Sequence, residues 1–357
     1  MGDLPHRHYA EMASERIAGA DTREWIAVLP LGATEQHGPH LPPETDWMIA
    51  EGIVRKTIEL MPDLSPVTFL PAERLGYSRE HANRPGVQTL AFDAAVIRWI
   101  AIGEELSSRG IRKFVMLNAH GGNAPLMTIV ATELRARCRM LAVATSWTRF
   151  GVPFGVVSED EKAHGIHGGE IETSVMLALR PDLVRMEEAR NFPSLQSEME
   201  RTAKHLRAYG PHAFGWLGTD LNPKGVVGHA KNATADQGQR LIAHAAEGFV
   251  ELLQDVEAFD VTRFDSGVGG FVSEPSSRIC RVGASMVTRP MTPYPGALFC
   301  CGSLNPVASE VNSRMSLPSG VVTRTMPPLI WVRLLSARLA CGSPRAMSWL
   351  PISSTEK

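Results

Sequence analysis

Along most of the chain, short apolar runs alternate with longer stretches whose apolar positions recur at helical spacing. Trp25 to Leu31 (WIAVLPL), Val67 to Leu70, Lys113 to Leu117 (KFVML) and Met140 to Ser146 (MLAVATS) are bounded by Gly, Pro or charged residues. Runs of this length and composition read as β-strands. Between them, Thr45 to Met61 places Ile49, Ile53, Val54 and Ile58 on one face, which predicts a helix. Asp93 to Arg109 follows the same pattern, and Asn123 to Arg137 begins after a glycine pair. Gly169 to Leu179 stops before Arg180-Pro181, where proline disfavours continued helix. Strand and helix in alternation predict the α/β class, as a three-layer α/β/α sandwich around a mostly parallel sheet.

The pattern stops near Phe264. From Asp265 to Lys357 Ser and Pro are dense, four of the five cysteines are found, and nine Lys and Arg stand against four Asp and Glu. No helical or alternating period persists there for more than about ten residues. The expected organisation is one domain over residues 1–264 and an Arg/Ser/Pro/Cys-rich tail over 265–357, either disordered or translated from a shifted reading frame. Its basic residues are scattered with few aromatics among them, so no nucleic-acid surface is expected.

The whole chain has 357 residues, 44% of them hydrophobic and 21% charged, which suits a globular protein. No apolar run approaches the roughly 18 residues of a membrane span, and the start MGDLPHRHYAEMASERI lacks the apolar core of a secretory signal. A cytoplasmic chain without a membrane partner is the expectation. Cys138, Cys280, Cys300, Cys301 and Cys341 are odd in number and show no CxxC spacing, which argues against a disulfide framework or a thiolate zinc site. Several of the twelve histidines sit beside acids and glycines, and imidazole with carboxylate is a usual ligand set for zinc, manganese or iron.

Three stretches carry that chemistry. Directly after the first strand, Leu31 to Pro42 reads LGATEQHGPHLP, and in an extended loop Glu35 and His37 face one way while Gln36 faces another. Asp46 follows at the start of the next helix, either as a carboxylate reaching back to the same cavity or as a helix cap. Leu117 to Asn123 (LNAHGGN) puts His120 at a strand end, where ligands gather in open α/β sheets. Ala163 to Ser174 (AHGIHGGEIETS) opens a helix, and because positions i and i+2 diverge there, one of Glu170 and Glu172 is expected in the cavity. Glu170 is taken as that residue, with His167 or Glu172 as the proton donor. Both acids would equally serve the helix dipole with no metal present.

Taken in this order, EQHGPHLP, Asp46, NAHGGN and HGGEIETS resemble the creatininase (creatinine amidohydrolase) family. Gly76 to Leu90, with Ser78, Glu80 and His81 before Arg84-Pro85-Gly86, is similar to its substrate-side loop, and Gly225 to Leu241 (GVVGHAKNATADQGQRL) to its late glycine-rich motif. The resemblance spans roughly residues 10 to 260. It implies an α/β/α sandwich, a homohexamer and two divalent ions (Zn2+, Mn2+ or Fe2+). Glu35, Asp46 and His120 would hold one, and His37, Asp46 and Glu170 the other, with Asp46 bridging. Creatinine-cleaving members resemble His-Tyr-Glu-Asn at the second motif and take a ligand from that Glu. Here Gly122 stands in its place, and Glu170 is expected to supply the missing acid.

The activity implied is hydrolysis of a non-peptide, small-molecule amide, cyclic in the case of creatinine, with Ser78 and His81 on the substrate side. A formamide hydrolase and a dedicated peptidase of cofactor maturation share the His-Gly-Gly-Asn form and stay open, as does a non-catalytic metal-binding protein on the same fold. Two bridged cations are expected to bring the pKa of a shared water toward about 7. The resulting hydroxide attacks the carbonyl carbon, and His167 or Glu172 protonates the departing nitrogen.

Overall fold

In a computed structural model describing residues 3–265, β1 (Ile26–Leu31), β2 (Val67–Phe69), β3 (Lys113–Asn118) and β4 (Leu141–Ser146) pair in parallel in the order β2-β1-β3-β4. The expectations for the tail beyond Asp265 lie outside the described residues. Successive strand side chains point to opposite faces. Ile26, Val28, Val115 and Leu117 join one core, while Ala27, Leu29, Leu31, Phe114 and Met116 join another. Both faces are covered, so the strands read as unbroken apolar runs rather than as alternation.

The long helices are α1 (Thr45–Leu60), α2 (Phe92–Ser108), α3 (Ala124–Cys138), α4 (Glu170–Leu179) and α5 (Ala235–Ala258). Ile49 and Ile53 of α1, Val175 and Met176 of α4, and Leu241 and Phe249 of α5 cover the first face. Trp99 and Leu106 of α2 with Leu126 and Val130 of α3 cover the second. The result is the expected three-layer α/β/α arrangement. Expected strands and helices agree with these bounds to within one residue at each end. Among the long helices the exception is α5, whose first turns the sequence marks only as part of a glycine-rich motif, and shorter helices such as Leu195–Thr202 carry no expectation. Helix α5 lies so close to α4 that a side chain at Gly238 would overlap the Ser174 carbonyl.

The register pairs Leu31 with Asn118 and Asn118 with Ser146, so the strands end level and their loops leave on one edge. That edge is where open parallel sheets place their ligands. Among the described residues, no helix is long and apolar enough to cross a membrane.

Candidate metal centre

The loop after β1 is shaped by its own backbone. Glu35 N–H donates to the Pro43 carbonyl at 2.9 Å, and Gly38 at φ 74° takes the left-handed conformation that lets the chain double back. Thr45 then opens α1 by donating its hydroxyl to the Pro42 carbonyl at 2.7 Å, which sets Asp46 in the first turn beside the loop. At the end of β3, the Asn118 side chain brackets the turn: it donates to the His120 carbonyl at 2.6 Å and accepts from His120 N–H at 3.1 Å. Asn123 donates to the Gly32 carbonyl at 3.1 Å and accepts from Tyr77 N–H at 2.9 Å. The two asparagines of NAHGGN therefore hold the β1 end, the β3 turn and the Gly76 loop together.

Glu35, His37, Asp46 and His120 are all buried, and their tautomers follow from backbone partners. His37 Nδ1 lies 3.1 Å from the Glu35 carbonyl, which can only accept, so Nδ1 carries the hydrogen and Nε2 presents a lone pair. That lone pair faces Asp46 Oδ1 at 3.0 Å and Glu172 Oε2 at 3.7 Å. His120 Nε2 donates to the Tyr77 carbonyl at 2.8 Å, which leaves its Nδ1 lone pair facing Glu35 Oε1 at 3.1 Å and Asp46 Oδ2 at 3.2 Å.

Neutral imidazole nitrogens and carboxylate oxygens are all acceptors, and acceptors crowded in a buried space repel unless a cation sits among them. His37 Nε2 and Asp46 Oδ2 are indeed buried without a hydrogen-bond partner. The residues fit two positive ions, with Asp46 offering one oxygen to each set. Protons answer the same demand. Burial pulls the His37 imidazolium down, but Asp46, Glu172 and Glu35 outweigh it and hold its pKa at about 10. Burial also opposes the charge on His120, yet Glu35 and Asp46 raise it well above the usual value.

The structure brings together Glu35, His37, Asp46, His120, His167 and Glu172, but it places Glu170 elsewhere. Glu172 turns back over the helix start to accept from Gly168 N–H at 2.7 Å, which carries it into the cavity. Glu170 accepts from Gln237 Nε2 at 2.7 Å and lies beside Glu161 and His229 instead. The acid beside His37 and Asp46 is thus Glu172, while Glu170 joins the other cluster. Nor does Glu170 fill the room left at Gly122. A Cβ there would run into the Glu80 carboxylate, the Tyr77 carbonyl and His120 Nε2. Glu80 Oε1 stands 3.4 Å from His120 Nε2. In the sequence Glu80 stands within the Gly76 to Leu90 loop, and an acid directly before His81 is the signal that could have singled it out.

Ser78 is buried and donates its hydroxyl to Glu35 Oε2, so it orients that carboxylate. His81 Nε2 approaches Glu35 Oε1 at 3.8 Å and His167 Nδ1 approaches it at 3.6 Å. His167 lies between His37, tilted at 42°, and His81, stacked at 23°, with ring centroids 4.3 and 4.1 Å away.

Known proteins resemble the chain over most of this domain. A family model described as creatinine amidohydrolase matches residues 10–253. A mycofactocin precursor peptide peptidase of Mycolicibacterium smegmatis is 30% identical over 233 residues, covering 64% of this chain and 84% of that protein. The creatinine amidohydrolase of Pseudomonas putida is 24% identical over 275 residues, covering 71% and 96%. Among solved structures, a creatininase described with Mn aligns at TM-score 0.57 and 21% identity, covering 71% of this chain and all of that one, a likeness of fold.

Proposed function

Since the chain belongs to the creatininase family, we propose that it is a metal-dependent hydrolase of an amide bond. In this reading Glu35, Asp46 and His120 hold one divalent ion, and His37, Asp46 and Glu172 hold the other. The observation that carries it is the convergence of imidazole lone pairs and carboxylates around buried, unpartnered His37 Nε2 and Asp46 Oδ2. Mixed imidazole and carboxylate donors suit zinc, manganese or iron. Such ions supply Lewis acidity, acidifying water and polarising a carbonyl oxygen.

The chain's own groups do the rest. His167 Nε2 donates to the Gln36 carbonyl at 2.8 Å, so its Nδ1 faces the cavity as a bare acceptor. It takes one proton from the attacking water as the C–O bond forms, and returns that proton to the departing nitrogen as the C–N bond breaks. Ser78 holds the Glu35 carboxylate, and Tyr77 fixes the His120 tautomer through its carbonyl, which keeps the ligands oriented.

For the substrate, a peptide amide is favoured over creatinine. The relatives named mycofactocin precursor peptide peptidase reach 30–32% identity, against 24% for the creatinine amidohydrolase. Metal analysis of the purified protein, with hydrolysis assays on a short peptide, creatinine and a formamide, tests both parts. Two ion equivalents are expected, with activity lost on chelation and restored by zinc or manganese. Full activity after exhaustive chelation would sink the metal reading, and turnover of creatinine alone would reverse the choice of substrate. The homohexamer and the cytoplasmic location stand as part of the same proposal, checked by sedimentation and by fractionation.

A further inference from the structure

Gln36 lies between two metal-binding neighbours in sequence but points away from both, and its amide is oriented without ambiguity. Its Oε1 accepts from Gly38 N–H at 3.0 Å, and its Nε2 donates to the Gly225 carbonyl at 2.6 Å. Both partners are backbone groups with fixed roles, so the amide cannot be turned round. Space is made for it by glycine: a Cβ at Gly225, which sits at φ 77°, would stand 2.7 Å from Gln36 Nε2.

The second hydrogen of that amide has two imidazole nitrogens within reach, His81 Nδ1 at 3.1 Å and His167 Nε2 at 3.3 Å. His167 Nε2 already carries a hydrogen, because it is 2.8 Å from the Gln36 backbone carbonyl. Two N–H groups cannot bond to each other, so the amide hydrogen goes to His81 Nδ1. His81 Nδ1 is then an acceptor, and the neutral ring must carry its hydrogen on Nε2, the atom that faces Glu35 Oε1 and the cavity.

We propose that Gln36 is a positioning residue that fixes the stacked pair in opposite senses, His81 presenting an N–H and His167 a bare nitrogen. The rings lie at 23° with centroids 4.1 Å apart, so donor and acceptor stand side by side over Glu35 Oε1. The N–H of His81 serves the carbonyl oxygen of the substrate, whose negative charge grows as the tetrahedral state forms. This second half rests on the amide-hydrolase reading; the assignment of the hydrogens does not. It also explains why Gly218 packs on His81, where a Cβ would lie 2.7 Å from Nδ1 and displace the ring.

The test is 15N NMR of the full-length, zinc-loaded protein labelled at histidine, with the His81 signals identified by their loss in His81→Gln. The expected spectrum has His81 unprotonated at Nδ1 and protonated at Nε2. Gln36→Glu removes the amide donor and offers an acceptor, so Nδ1 of His81 should become protonated while two zinc equivalents are kept. Gly225→Ala, which displaces the amide without altering residue 36, should loosen the same assignment if Gln36→Glu fails to fold. For the substrate role, Gln36→Glu should lower kcat by about 10²-fold with KM little changed, the scale of losing one donor to a developing oxyanion. A protonated Nδ1 in the wild-type protein, or an unprotonated one in Gln36→Glu, overturns the assignment. The expected spectra in a protein that hydrolyses no amide would overturn only the function proposed above.

Discussion

Glu170 and Glu172 open α4 two positions apart, and a helix turns about 200° over that interval, so they leave in opposite directions. Glu172→Gln is therefore expected to lose about one of two bound ions, while Glu170→Ala keeps both and melts lower for want of the bond from Gln237, at about 1.5–3 kcal/mol for a hydrogen bond to a charged acceptor. Metal analysis and thermal melting of the two variants decide it; the reverse pattern would return Glu170 to the ion. That divergence was legible in the sequence, but the choice was not. It depends on Gly168 at φ 63° presenting its N–H to the third helical residue rather than the first. A second outcome concerns protons. In the ion-free protein His37 is raised from 6.5 to about 10, so its protonation stabilises the fold fully below about pH 6.5, and that share is lost as pH rises through about 10. An ion must displace this proton and the one on His120. Calorimetry at pH 8 in buffers of different ionisation enthalpy should count about two protons released as both ions bind. Zinc should also raise the melting temperature more at pH 9 than at pH 6. Release of none would mean that the histidines are neutral before the ions arrive.

The strands could be read from sequence because burial on both faces leaves little room for polar residues, and α1 to α4 because their apolar stripes are regular. The start of α5 is different: Ala235 to Arg240 (ADQGQR) shows a glycine among polar residues, and only the packing explains it. Gly238 is where α5 presses on the Ser174 carbonyl, and Gln237 beside it reaches Glu170. Gly238→Ala should thus push α5 off α4, at about 1–3 kcal/mol as overpacking usually costs. Because α4 also carries Glu172, the same change should weaken zinc binding, whereas Ala substitution at exposed Glu247 on the same helix should affect neither. A titration of zinc into both variants measures this, and equal affinities would show that the helix contact does not reach the cavity.

At the scale of the molecule, the α/β/α layering followed from alternation alone, while the meeting of the site segments did not, because nothing local says which loops share an edge until the sheet order is known. The domain boundary is tested by a chain ending after Asp265, chosen because that residue is held by Arg112 at 2.9 Å and Arg139 at 3.8 Å. It should melt within a few degrees of the full chain and bind the same number of ions; a much lower melting point would place the boundary further on. The wide sequence spacing of the centre has a consequence for how the protein comes into being. Glu35 meets His120 from beyond β3 and His37 meets Glu172 from beyond β4, so no early, local piece of the chain owns a complete set of these groups. Closing such distances comes late in a folding reaction. Zinc should accordingly leave the refolding rate unchanged and slow unfolding, the signature of contacts formed after the transition state. During synthesis the ribosome would release most of the domain before any ion could be captured, leaving the choice of metal to a finished cavity and to whatever the cell then supplies.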